Sequence, residues 1–209
     1  MKVRLLVFAK APQAGRVKTR LIPALGADGA ARLARWLLDH TLTEARAAGL
    51  GPVELCTDPD PHHPAWAAFS PLPDLTLSPQ GGGDLGARMA RAARRGLESE
   101  AAVILLGTDC PALTRDRLCR IAAGLRRSAA VLVPALDGGY VALGLTRFHP
   151  SLFQDIVWGG ADVAETTCRR LQRLGLPFRR LAPLPDIDRP ADLRHLPTTW
   201  ETPRCATPG

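Results

Sequence analysis

Four runs of this chain are almost continuously apolar: residues 3–8, Ala102–Leu106, Ala130–Pro134 and Tyr140–Leu145. A strand with one face in water alternates apolar and polar residues, whereas an unbroken apolar run needs cover on both faces. Helical patterns separate most of these runs, at about 28–48, 85–99, 114–127 and 162–174. The first of them sets Ala34, Leu37, Leu38, Thr41, Leu42 and Ala45 on one stripe. Shorter strand patterns fall at 53–56, 75–77 and, weakly, 178–181. The alternation predicts an α/β fold: a three-layer αβα sandwich with a mixed, mainly parallel sheet. Tyr140–Leu145 breaks the rhythm. It follows Ala130–Pro134 after a link through Gly138 and Gly139 that is too short for a crossover helix. The two runs are therefore not adjacent parallel strands, and the second is expected to return and pair elsewhere in the sheet. Residues 62–79 are rich in Pro and read largely as an irregular loop around Trp66 and Phe69. Thr114 reads as a helix N-cap. The 209 residues suit one domain over 1–196 with a flexible tail at 197–209.

The formal charge of +7 favours anionic partners, whether nucleic acid, nucleotides or phosphosugars. Much of that excess is Arg on helical segments, such as Arg88, Arg91, Arg94 and Arg95, which read as solvated faces. Aromatic residues make up only 5%, too few for a base-stacking platform, so nucleic acid is not an expected partner. Five cysteines without a CxxC pair argue against a disulfide framework or a zinc site. No apolar stretch reaches the ~20 residues of a membrane span, and the basic N-terminal flank lacks a small-residue cleavage site. A cytoplasmic protein is expected, monomeric or homodimeric.

Chemistry-bearing residues gather where strands end, which is where open α/β sheets bind ligands. After the first strand, Lys10, Arg16, Lys18 and Arg20 surround Gly15. Cations can neutralise phosphate oxygens there while the glycine lets the backbone approach. This is not a Walker A loop: Gly15 stands two residues from Lys18-Thr19, and no Gly-Lys-Thr occurs. The alternative is a solvated basic loop. Gly81, Gly83 and Gly86 satisfy G-x-G-x-x-G before a helix, yet the acids that follow fall short of ~20 residues on. Gly83, Asp84, Gly86 and Arg88 read as a nucleotide-binding turn, with Asp84 alternatively a helix cap. Ala102–Leu106 delivers Asp109 to its end; a lone buried carboxylate is costly unless paired or metal-bound, so Asp109 is a candidate Mg²⁺ or Mn²⁺ ligand or a turn cap. Asp137, with Gly138, Gly139 and Tyr140, ends the next strand and is a second candidate or a turn. Asp186 and Asp188 form a weaker acidic pair, Asp188 being equally a cap.

Taken in order, these segments resemble the GT-A-like nucleotide-diphosphosugar transferases. More narrowly, they resemble a bacterial family of uncharacterised glycosyltransferase-like proteins, some associated with arsenosugar biosynthesis. The resemblance rests on Phe8-Ala9-Lys10-Ala11-Pro12 with Gly15-Arg16-Val17-Lys18-Thr19-Arg20-Leu21, Gly83-Asp84-Leu85-Gly86-Ala87-Arg88-Met89, Gly107-Thr108-Asp109-Cys110-Pro111, Asp137-Gly138-Gly139-Tyr140 and Asp186-Ile187-Asp188-Arg189-Pro190. In layout the family is similar to molybdenum-cofactor and phospholactate guanylyltransferases. The resemblance implies a nucleoside di- or triphosphate on the first loop and Asp109 on a divalent metal, Mg²⁺ or Mn²⁺. Lys18, Asp109 and Asp137 are the candidate catalytic residues. Asp109 leads the candidate metal ligands, followed by Asp137, Asp186 and Asp188. The chain departs from the family pattern at Trp158-Gly159-Gly160, where a small hydroxyl residue would follow the Trp.

The expected activity is transfer from an activated nucleotide donor, a nucleotide-sugar or a nucleoside triphosphate, to a small-molecule acceptor. Glycosyl transfer leads and guanylyltransferase-like nucleotidyl transfer follows. A nicotinamide-dependent oxidoreductase using Gly81 to Gly86 and a nucleotide-binding regulator without turnover are the readings from other classes.

Overall fold

The computed structural model describes residues 1–69 and 74–200. Seven strands make one sheet in the order β3-β2-β1-β4-β6-β5-β7. They are β1 (Val3–Lys10), β2 (Val53–Asp58), β3 (Leu75–Pro79), β4 (Ala102–Leu106), β5 (Ala130–Pro134), β6 (Tyr140–Leu145) and β7 (Phe178–Arg180). Four helices cover it: α1 (Ile22–Ala47), α2 (Leu85–Ser99), α3 (Arg115–Leu125) and α4 (Val163–Arg173). Strand side chains alternate between two cores, as a pleat requires. Val3, Leu5 and Val7 pack with Leu38 and Leu42 of α1 and Ile121 of α3. Leu6, Val103 and Leu105 pack with Met89 and Ala93 of α2 and Leu171 of α4. The result is the three-layer sandwich that the apolar runs predicted.

All strand pairs are parallel except those of β6, which is antiparallel to β4 on one side and to β5 on the other. The expectation that β6 would pair elsewhere is half corrected. It does reach β4, yet it also pairs back onto β5, because the Asp137 to Gly139 link makes a tight turn. Ala135 N–H donates to the Gly139 carbonyl at 3.0 Å, and Asp137 Oδ1 accepts from Gly139 N–H at 2.9 Å. A reversed strand in the middle keeps this turn on the same edge of the sheet as the end of β4.

α1 begins earlier than its periodic stripe, with one turn from Ile22 that breaks at Gly26 (φ 69°) before the main helix. The sequence pattern therefore located the main helix and missed its first turn. Ala34, expected on the buried stripe, is half-buried, and Leu33 lies in the core instead. Thr114 occupies the N-cap of α3 without a side-chain bond; Glu44 of α1 accepts from the Arg115 N–H in its place. Trp66 and Phe69, in the Pro-rich stretch, are buried edge to face with centroids 5.6 Å apart. Within the segment expected as tail, Trp200 packs edge-on against Trp36 of α1; residues 201–209, including Cys205, lie outside the described residues. Among the described residues no helix is long and apolar enough to cross a membrane.

Candidate functional site

The chain runs outward from β1 to β2 and β3 on one side, then crosses to place β4 on the other. The carboxyl ends of β1 and β4 therefore diverge at a topological switch point, where a crevice opens above the sheet. A cleft of about 490 Å³ occupies it, lined by Lys10, Arg16, Lys18 and Arg20 together with Asp109 and Asp188. All four predicted cations thus share one cleft with the carboxylate that follows β4.

Lys18 and Asp109 meet directly, Nζ to Oδ1 at 2.7 Å. The pair is asymmetric: the Lys18 side chain is 7% exposed and that of Asp109 is 49% exposed. Lys18 adopts left-handed backbone geometry, φ 48° and ψ 39°, uncommon for a residue with a Cβ. Its ammonium also donates to the Ile187 carbonyl, and Ile187 N–H donates to the Asp109 carbonyl at 2.8 Å. Lys18, Ile187 and Asp109 therefore close a ring that ties the first loop, the end of β4 and the C-terminal segment together. Arg20 pairs with Asp188 across the same junction.

Beyond the ring lies an acidic cavity of about 570 Å³ that includes Asp137, Asp186, Asp188 and Asp192 with Arg20 and Arg189. Burial and the neighbouring carboxylates of Asp137 and Asp109 raise the Asp186 carboxyl to about 6. Among the described residues no three His, Cys, Asp or Glu side chains converge as a ready-made metal site. The four candidate metal ligands are thus neighbours, but not a formed cage. Asp109 alone, half exposed and with one oxygen on Lys18, fits a hard cation whose shell is completed by phosphate oxygens and water.

The glycine-rich turn carries structural duties of its own. Asp84 Oδ1 accepts from Ala87 N–H at 2.8 Å, so Asp84 is the N-cap of α2. A Cβ on Gly86 would lie 2.1 Å from the Phe153 carbonyl oxygen and 2.7 Å from Trp158 Nε1. Gly86 is needed for close packing of α2. Gly138 is needed likewise, since a Cβ there would come within 1.9 Å of the Ala161 carbonyl oxygen. Gly15 lies in the turn that carries the cations, and Gly83 offers its carbonyl to Arg88 Nε at 3.0 Å. Arg88 reaches back across the sheet ends, Nη1 to Asp58 Oδ2 at 2.8 Å.

Sequence reasoning passed over Gln80, which holds this corner together. Its buried Nε2 donates to the carbonyls of Ala9 (3.0 Å) and Cys56 (2.9 Å), pinning the ends of β1 and β2. The signal was available, as a polar residue directly after a strand in a chain whose other strand ends carry chemistry. Asp58, the last residue of β2, was missed for the same reason.

A third space, apolar and about 160 Å³, adjoins the cationic cleft and shares Phe8, Leu85 and Gly107 with it. Tyr140 and Trp158 meet there edge to face, centroids 6.3 Å apart. Burial raises the Tyr140 phenol well above its ordinary value, so it stays protonated and donates to Met89 Sδ at 3.6 Å. Trp158 Nε1 is buried without a hydrogen-bond partner.

The family described as "uncharacterized protein conserved in bacteria (DUF2064)" matches residues 41–160. No curated protein matches the sequence. Among solved structures, a protein of Desulfovibrio desulfuricans G20, provisionally named a nucleotide-diphospho-sugar transferase, is similar at a TM-score of 0.86 and 32% identity, covering 95% of this chain and 88% of that one. CMP:2-keto-3-deoxy-manno-octonic acid synthetase, in complex with CTP, is similar at 0.58 and 14% identity, covering 93% and 96%. The 2-C-methyl-D-erythritol 4-phosphate cytidylyltransferase of Thermus thermophilus follows at 0.55 and 19%, covering 93% and 97%. The last two share the fold. The family match spans more than half of the sequence, and the chain belongs to the DUF2064 family.

Proposed function

We propose that this member of the family transfers a glycosyl group from a nucleoside-diphosphate sugar to the hydroxyl of a small-molecule acceptor, with Mg²⁺ or Mn²⁺. The observation that carries the reading is the single cleft that four cations share with Asp109 at the switch point. The provisional name of the Desulfovibrio protein, at 32% identity, supports a sugar-nucleotide donor.

In this reading Lys10, Arg16 and Arg20 neutralise the diphosphate, and the backbone around Gly83 to Arg88 borders the base and ribose. Lys18, already held by two oxygens, adds a fixed positive charge where negative charge develops on the leaving phosphate. Asp109 would hold the cation together with the donor's phosphates, and that cation would supply Lewis-acid charge neutralisation. Asp137 spends Oδ1 on the Gly139 amide, which orients the carboxylate and leaves Oδ2 to accept the acceptor's proton. The acceptor oxygen bonds to the anomeric carbon. The bond from that carbon to the phosphate oxygen breaks, and its electron pair leaves with the nucleoside diphosphate.

The test is incubation with radiolabelled nucleotide-sugars and nucleoside triphosphates in Mn²⁺, beside a thermal-shift screen of the same ligands. Sugar-label transfer with nucleoside diphosphate release is expected. Pyrophosphate release from a triphosphate without sugar-donor turnover would reassign the protein to nucleotidyl transfer. Binding without turnover of either would make it a nucleotide-dependent regulator.

A further inference from the structure

We infer that the acceptor is an alcohol carrying a compact apolar group, no larger than about one six-membered ring, and that this group occupies the apolar space between Phe8, Tyr140 and Trp158. The inference rests on the transferase reading above and names the acceptor class for it.

Size comes first. At about 160 Å³ the space has the volume of an apolar cavity of about 150 Å³ that takes up one benzene molecule. Chemistry comes next. Phe8, Leu85, Met89, Tyr140, Trp158 and Val163 line it, with backbone from Gly107, Gly139 and Gly159, and no charged side chain does. Its polar side-chain atoms offer a sugar little: the Tyr140 hydroxyl is spent on Met89, and the buried Trp158 Nε1 is a single unpartnered donor. A sugar ring or phosphate seated here would lose the water on several oxygens and find too few partners. An apolar group loses nothing of the kind and gains by leaving water.

Position then ties the space to the reaction. It shares Phe8, Leu85 and Gly107 with the cationic cleft, and Gly159 with the acidic cavity that holds Asp137. Gly139, in its wall, donates its amide to the Asp137 carboxylate at 2.9 Å. The space thus borders the cationic cleft on one side and, through Gly159, the acidic cavity on the other. A ring seated in it can carry its hydroxyl toward the boundary it shares with them.

The chain offers an internal reporter. It has two methionines, Met1 and Met89, and only Met89 lines the space. The protein labelled with ¹³C at the methionine methyls is titrated with benzyl alcohol and, separately, with glucose. Benzyl alcohol is expected to shift the Met89 resonance saturably through its ring current, leaving Met1 unmoved, and glucose to shift neither. Leu85→Trp, at the exposed first turn of α2, narrows the mouth and is expected to weaken benzyl alcohol at least five-fold. No Met89 response to benzyl alcohol, an equal response to glucose, or unchanged affinity in Leu85→Trp would overturn the inference. The titration needs neither nucleotide nor metal. Failure of the transferase reading would show instead as the absence of label transfer from any nucleotide donor, whatever Met89 reports.

Discussion

The two ends of the central sheet each hold a carboxylate among cations, and they are built in opposite ways. At the amino end, Glu54 of β2 is 3% exposed and saturated: Arg4 Nη1 lies at 3.3 Å, Ser78 Oγ donates at 2.6 Å and Arg95 completes the shell. Burial alone would raise this carboxyl, but the Ser78 bond and the charges of Arg95 and Arg4 hold it below its ordinary value. The same burial pushes the neighbouring Cys56 thiol up to about 12, so it is inert. At the carboxyl end the cation is the buried partner and the carboxylate is the open one. Asp109 spends one oxygen on Lys18 and turns half its surface toward the cleft. A saturated cluster fastens β1, β2 and α2 together; an unsaturated one can still take a ligand. Ion pairs of equal formal charge thus separate into structure and function by the coordination they leave unused.

Substitutions at the two ends should break this contrast in different measurements. The largest effect is expected from Asp109→Asn, which should remove metal-dependent donor binding by more than about 100-fold, the scale of losing a partner worth about 2–5 kcal/mol. Its melting temperature without ligand should stay near that of the parent; normal Mg²⁺-dependent binding by the variant would remove Asp109 from the site. Lys18→Ala should weaken donor binding by about 1.5–3 kcal/mol, the worth of a charge-assisted bond, as read by calorimetry. Glu54→Gln should do the reverse, costing about 1–3 kcal/mol of stability in urea unfolding, with donor affinity unchanged in the folded protein. The cost is at the modest end for a buried pair because Arg95 is partly exposed and can turn to water.

The smallest effect is a difference in pH slope. Glu54 titrates lower in the folded protein than its reference value of 4.5. Its contribution is therefore present above about pH 4.5 and is lost as pH falls through the folded pKa. Asp186 titrates near 6 when folded against 3.8 unfolded. The folded protein holds its proton between those values, so stability declines as pH rises from about 4 to 6 and levels off above. In metal-free protein, Asp186→Asn should flatten the slope in that window and Glu54→Gln should flatten the acid limb. An unchanged profile in either variant would show that the carboxyl it removes does not titrate as described.

Local signals carried most of the architecture. Unbroken apolar runs placed the buried strands, and the stripe from Leu37 to Ala45 located α1, because burial on a strand or helix is written in period. The cluster from Lys10 to Arg20 and Asp109 were legible too, since each stands directly after a strand. What escaped is what depends on residues far apart in sequence. Nothing local shows β6 slipping between β4 and β5, Gln80 bridging β1 to β2, or Glu44 of α1 capping α3. The packing duty of Gly86 was not legible in the G-x-G-x-x-G pattern, because the carbonyl and the indole that press on it come from residues 153 and 158. The apolar space was invisible because Phe8, Met89, Tyr140 and Trp158 come from four separate elements.

The ring through Ile187 also sets a clock. Its bond to Lys18 joins residues 169 positions apart. At synthesis rates of about 5–20 residues per second, Lys18 waits on the order of ten to thirty seconds on the ribosome before its anchor emerges. β1 to β4 can pair in that interval and Lys18 can meet Asp109, but the ring through Ile187 stays open. On the proposed reading, nucleotide affinity should therefore be among the last properties a newborn chain acquires.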